Sequence, residues 1–225
     1  MALSRITVLA SGRGSNLASL IEACRGAHIV GSITHVVSNV AGARAVDIAR
    51  ICGIATSIVD HERFASRHAF GDALDATVAT GEPDVVVLAG FMRVLDAAFV
   101  QRYAGRLINV HPSLLPLYPG LNTHRRALDD GVRVHGCTVH YVTVDVDRGP
   151  IIAQGAVPVL PDDTETTLAG RVLAIEHQLL PAAVAWHCAG ALVIADGRVR
   201  VARTMTDARA ALLVPPAPPG LESRG

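Results

Sequence analysis

Asp84-Val85-Val86-Val87-Leu88-Ala89-Gly90-Phe91-Met92-Arg93 decides the fold. The run from Val85 to Leu88 has no polar interruption and is mostly β-branched. That pattern belongs to a strand covered on both faces, and Gly90 then breaks it. Working outward, short apolar runs alternate with segments of helical period. Upstream, Ile6–Ala10, Ile33–Ser38 and Thr56–Val59 read as strands, with helices over Asn16–Cys24, Arg44–Cys52 and Ser66–Thr80. Downstream, Asp96–Tyr103 reads as a short helix and Arg106–His111 as the fifth strand. This rhythm predicts an α/β protein with a doubly wound, mostly parallel, Rossmann-like sheet and helices on both faces.

After Pro119-Gly120 the rhythm changes. A helix over His124–Asp130 precedes two strands, Gly136–Thr143 and Ile151–Val159, which either form a hairpin or extend the sheet as a mixed C-terminal edge. Thr164–Trp186 has the length and spacing of one long helix, with Thr164 as its N-cap. A small strand pair follows around Asp196-Gly197. The expectation is a single domain over 1–205, with the proline-rich stretch 206–225 read as a disordered tail.

Composition removes several function classes. The chain has 225 residues, half of them apolar, enough for one domain with a substantial core. Its 20 basic and 20 acidic residues balance, so no broad electrostatic surface for nucleic acid or membrane is expected. Every basic residue is arginine, which excludes a side-chain Schiff base and a P-loop lysine. Cys24, Cys52, Cys137 and Cys188 form no C-x-x-C pair and read as buried free thiols. The ten histidines show no paired ligand spacing, so no metal is expected. Met1–Ala10 reads as a first strand and not a signal peptide. No apolar stretch reaches the roughly 20 residues that span a bilayer. The expected location is the cytoplasm.

In open α/β sheets, ligands collect outside the carboxyl ends of the strands, near the point where strand order reverses. Three features fall at such ends. The first is Ser11-Gly12-Arg13-Gly14-Ser15-Asn16, a glycine turn that opens a helix. Glycines let the backbone approach a phosphate, and helix N–H groups favour negative charge. Leu17 stands where the dinucleotide fingerprint wants glycine, so the surviving ligand is a single phosphate. An ordinary turn with Ser15 or Asn16 as N-cap competes with that reading. The second feature is Gly90-Phe91-Met92-Arg93. The third is Asn109-Val110-His111-Pro112, where residues two apart on an extended chain point to one face. An amide donor beside a titratable ring suits a reaction in which an oxyanion develops. Taken alone, the pair reads more readily as a strand-end cap. Arg67 can reach the same rim, and taken alone it reads as a solvated arginine.

Gly12-x-Gly14-Ser15-Asn16, Leu88-Ala89-Gly90-Phe91-Met92-Arg93, Asn109-x-His111-Pro112-Ser113-Leu114-Leu115-Pro116 and Asp147-x-Gly149-Pro150 occur in one order and spacing. Over about Ile6 to Trp186 they resemble the phosphoribosylglycinamide formyltransferase family, the folate-dependent glycinamide ribonucleotide transformylases of purine synthesis. Tyr118-Pro119-Gly120-Leu121-x-Thr123-His124 separates the chain from methionyl-tRNA formyltransferases, which also carry a tRNA-binding domain. The lysine-free composition and the proline-rich tail depart from the family without touching its motifs.

The resemblance implies formyl transfer from 10-formyltetrahydrofolate, as co-substrate, to the amine of 5-phosphoribosylglycinamide, with no metal. Its partners are then small molecules, and a homodimer stays open. Asn109, His111 and Asp147 match the family's catalytic trio, with Asn109 and His111 stabilising a tetrahedral intermediate and Asp147 favouring the charged form of His111. Gly14, Ser15 and Asn16 would hold the substrate phosphate, and Glu176 the ribose or glycinamide part. Arg67, Met92, Arg93, Val94, Leu95, Asn109, Thr143, Val144, Asp145, Val146 and Asp147 would enclose the folate. The phosphate-binding half is then 1–104 and the folate-binding, catalytic half 105–205. Two alternatives remain: a formyltetrahydrofolate hydrolase, which usually carries an extra N-terminal domain, and a non-catalytic sugar-phosphate-binding Rossmann module. The second has no use for Asn109, His111 and Asp147 together.

Overall fold

The computed structural model describes residues 3–201, so the tail expected at 206–225 lies outside the described residues. The first half alternates strands and helices: β1 (Ser4–Ala10), α1 (Ser15–Arg25), β2 (Gly31–Ser38), α2 (Arg44–Ile51), β3 (Ala55–Ile58), α3 (Arg67–Ala79), β4 (Val85–Leu88), α4 (Ala97–Arg102) and β5 (Leu107–His111). The second half follows with α5 (Thr123–Asp129), β6 (Val134–Tyr141), β7 (Ile151–Pro158), α6 (Glu165–Cys188), β8 (Leu192–Ala195) and β9 (Arg198–Val201). Most expected elements are present, with ends displaced by one or two residues. The strand expected over Thr56–Val59 lies one residue earlier, and a short 3-10 turn at His61–Arg63 was not expected.

Seven strands form one sheet in the order β3-β2-β1-β4-β5-β6-β7. The strands from β3 through β5 run parallel, while β6 and β7 are antiparallel additions. β6 and β7 therefore do both things open from sequence: they pair as a hairpin and extend the sheet as a mixed edge. β8 and β9 make a separate two-stranded sheet.

Alternation along each strand divides the core in two. Val85 and Val87, with Ile108 and Val110, pack under α1, α2 and α6. Val86, Leu88 and Leu107 pack under α3 and α4, against Phe70, Leu74, Phe99 and Tyr103. Coverage on both sides is the reason β4 reads as an unbroken apolar run. Strand order reverses at β1, which has β2 on one side and β4 on the other. The carboxyl ends of β1 and β4 are in register there, Leu9 opposite Leu88, and Leu88 in turn lies opposite Asn109 of β5. This is the position where the fold leaves a crevice for a ligand.

Candidate active site

The glycine turn leaves β1 and enters α1 through Gly14, which sits at φ 76° as the N-cap. Gly14 is fixed twice over. A side chain would be strained at that φ, and a Cβ would come 2.7 Å from Ala45 Cα at the start of α2. The competing reading, an ordinary turn with Ser15 or Asn16 as N-cap, is overturned, because both lie inside the helix and no side chain caps it. The first amides of α1 therefore keep their N–H groups for an external anion.

Asn16 instead turns inward. Its Nδ2 donates to Glu176 Oε2 at 2.8 Å, which joins α1 to α6. Both side chains are buried, and Asn16 Oδ1 is a buried acceptor with no partner among the described residues. Burial raises the Glu176 carboxyl above its ordinary value, opposed in part by the Asn16 hydrogen bond and the positive charge of Arg13. The result is a buried polar pair with an unused acceptor on Asn16, next to the uncapped amides of α1.

Asn109 and His111 share a face of β5, as their spacing predicts. Thr138 and His140 of β6 stand opposite His111 and Asn109 respectively. His140 is the site residue that sequence reading missed. Its Nδ1 donates to the Tyr141 carbonyl at 3.0 Å, and burial lowers its pKa, which favours the neutral ring. Nε2 is then a lone pair that accepts from Asn109 Nδ2 at 3.2 Å. This fixes the Asn109 amide and leaves its second N–H to donate elsewhere.

The His111 ring is buried between two acceptors. Nε2 donates to the Tyr118 carbonyl at 2.9 Å, and Nδ1 lies 3.5 Å from Asp147 Oδ2. A neutral ring has one N–H for these two acceptors, whereas the imidazolium has one for each. Asp147 is held at φ 54°, and its Oδ2 also accepts from Gly120 N at 2.8 Å. Gly149, two residues on, admits the close approach of the Tyr141 carbonyl that a Cβ would block. The 113–122 loop is tied down locally as well. Ser113 Oγ donates to the Leu117 carbonyl at 2.6 Å, and Arg126 lies over the Tyr118 ring. In the same loop region, His124 Nδ1 stands 3.2 Å from His135 Nε2, and burial pushes His135 down to about 4.

The segments expected around the folate are the loops after β4 and β6. Met92, Val94, Val144 and Val146 are large apolar side chains that are each at least half exposed. Leu95, Thr143 and Asp147 are partly covered, while Arg93 and Asp145 are open to solvent. Arg67 opens α3, and neither it nor Arg93 forms an ion pair among the described residues. An apolar rim edged with unpaired guanidinium groups suits a flat heterocycle with an anionic tail. Among the described residues, His68, Asp72 and Asp96 can bring three ligand atoms together for a cation, and none of them belongs to the His111 group. The cysteines are free thiols, and burial pushes Cys137 up to about 12. No described helix is long and apolar enough to cross a membrane.

Comparison with known proteins agrees with this architecture. The formyl transferase family model matches residues 4–184. Phosphoribosylglycinamide formyltransferase of Escherichia coli (strain K12) is 47% identical over 196 residues, which cover 87% of this chain and 89% of that one. The trifunctional purine biosynthetic protein adenosine-3 of Homo sapiens is 44% identical over 86% of this chain, which spans 19% of that protein's length. Among solved structures, glycinamide ribonucleotide transformylase 1 from Symbiobacterium toebii aligns with a TM-score of 0.87 at 44% identity, over 89% of this chain and 94% of that one. A formyltetrahydrofolate deformylase from Pseudomonas syringae pv. tomato str. DC3000 aligns with a TM-score of 0.83 at 26% identity, over 88% of this chain and 66% of that one.

Proposed function

The chain belongs to the formyl transferase family, and from that premise we propose that it moves the formyl group of 10-formyltetrahydrofolate onto the amine of 5-phosphoribosylglycinamide in purine synthesis. The observation that carries this reading is a convergence on one sheet rim. Uncapped α1 amides with Asn16 and Glu176 lie on one side, and Asn109, His111 and Asp147 on the other. A single domain then serves both substrates, with each half of the chain contributing to each subsite.

The acceptor's phosphate rests on the N–H groups of Gly14, Ser15 and Asn16. Its ribose and glycinamide donors meet Glu176. The folate lies along Met92 to Leu95 and Thr143 to Asp147, with Arg67 and Arg93 toward its anionic end. The amine attacks the formyl carbon, and the carbonyl oxygen becomes an oxyanion. The N–H of Asn109 that His140 leaves open donates to that oxygen, an interaction of the kind worth about 10² to 10³ in rate. His111, whose Nε2–H is released from the Tyr118 carbonyl as the donor binds, delivers a proton to the departing folate nitrogen, with Asp147 beside its Nδ1. The proton shed by the amine returns through water to Asp147, so formamide product and tetrahydrofolate leave with protons balanced.

The deformylase likeness supplies a second reading, in which water replaces the amine. One assay separates the two: 10-formyltetrahydrofolate is mixed with the protein, with and without glycinamide ribonucleotide, while folate absorbance is followed. Amine-dependent deformylation is the expected result. Release that ignores the amine assigns hydrolysis, and silence assigns a binding module.

A further inference from the structure

The glycine turn and the Met92 segment are joined by one hydroxyl. Past the ends of their strands, β1 and β4 stay connected through Ala89 N to the Leu9 carbonyl at 2.9 Å and Ser11 N to the Gly90 carbonyl at 3.1 Å. Gly90 then turns at φ 74°, and Met92 N, two residues on, donates to Ser11 Oγ at 2.8 Å. A backbone N–H can only donate, so Ser11 Oγ accepts there and sends its own proton elsewhere. That proton goes to Asn39 Oδ1 at 2.6 Å. The Asn39 amide is thereby oriented, with Nδ2 toward His61 Nδ1 at 3.2 Å. Asn39 is 2% exposed, so the hydroxyl's acceptor is shielded from water, and the relay ends at the partly covered His61.

We propose that Ser11 is a positioning residue that holds the acceptor's phosphate loop and the donor's Met92–Leu95 segment in one fixed relation. The inference rests on the functional reading above, which gives those two segments to different substrates. Ser11 touches neither reacting group. It sets the distance between them, because the loop that begins at Ser11 and the segment that begins at Met92 share its oxygen. A misplacement of about 1 Å between reacting atoms costs about 10²-fold in rate. Backbone pairing alone leaves Met92 free to swing about Gly90, and the hydroxyl removes that freedom.

The test uses the whole chain and the variants Ser11→Ala, Ser11→Thr and Asn39→Ala. Ser11→Ala is expected to lower kcat by roughly 10²-fold, while the Kd of each ligand measured alone stays close to that of the unaltered protein. Ser11→Thr retains the hydroxyl and should recover most of the turnover, and Asn39→Ala should fall between the two. A second measurement needs no catalysis: the Kd of glycinamide ribonucleotide with and without saturating tetrahydrofolate. The unaltered protein should show each ligand tightening the other, and Ser11→Ala should lose that coupling. If Ser11→Ala keeps kcat within about twofold, or if Ser11→Thr is as slow as Ser11→Ala, the proposal is overturned. If the unaltered protein shows coupling but no formyl transfer, the functional reading fails and the Ser11 link stands.

Discussion

At the scale of single residues, the site works by leaving selected hydrogen-bond capacity unused. His140 takes one N–H of Asn109 and so frees the other. His111 faces two acceptors, the Tyr118 carbonyl and the Asp147 carboxylate. Truncation to His111→Ala should lower turnover by roughly 10² to 10⁴ with an unchanged circular dichroism spectrum. Full activity in that variant would remove His111 from the mechanism. Glu176 carries a cost of the opposite kind. Burial raises its pKa, so the folded state holds the proton more tightly than the unfolded chain. Its stabilising contribution is present below the ordinary glutamate value, about 4.3, and is lost as pH rises through the folded value. Glu176→Gln should therefore melt higher than the unaltered protein at pH 7 and no higher at strongly acidic pH, while the acceptor binds more weakly. A lower melting temperature at pH 7 would mean that the charge is compensated in the folded protein. Sequence reading named Asn109, His111, Asp147 and Glu176 but not His140, because a histidine in an apolar strand carries no local mark of its partner.

At the scale of elements, the start of α1 is the proposed anion site because Gly14 replaces a capping side chain with an open left-handed turn. The glycine pattern was legible, since positive φ and close approach are properties of the residue itself. The capping assignment was not. Whether Asn16 caps its own helix or reaches across to α6 depends on where α6 lies. Ser15→Asp places a carboxylate among the N–H groups meant for phosphate. It should weaken glycinamide ribonucleotide binding by at least about tenfold, or roughly 1.4 kcal/mol, and leave folate binding largely intact, as read by titration of each ligand. Equal losses would place the phosphate elsewhere. The long helix α6 was readable from end to end: Thr164 caps it with a full capping box, although Pro181 falls inside it.

At the scale of the whole molecule, ligand binding should be felt as global stability. The proposed acceptor site is built from α1 and α6, elements of the larger core that spans most of the sheet. Acceptor at 100 times its Kd should raise the unfolding free energy by about 2.7 kcal/mol, measurable by denaturant titration, and Ser15→Asp, if it binds about tenfold more weakly, should cut the gain to about 1.4 kcal/mol at the same concentration. No change in the unaltered protein would separate the cleft from the core. What the sequence determined by itself was the kind and order of elements, the sheet class and the residues at strand ends. Periodicity, glycine and proline act over a few residues, so they survive without the fold. Only the tertiary structure decided which distant groups meet. Asn16 reaches Glu176 across 160 positions, and Asn109 reaches His140 across 31, through strand register and the path of helices over the sheet. Those choices follow from burying complementary faces together, and no local pattern in the chain records which face will find which.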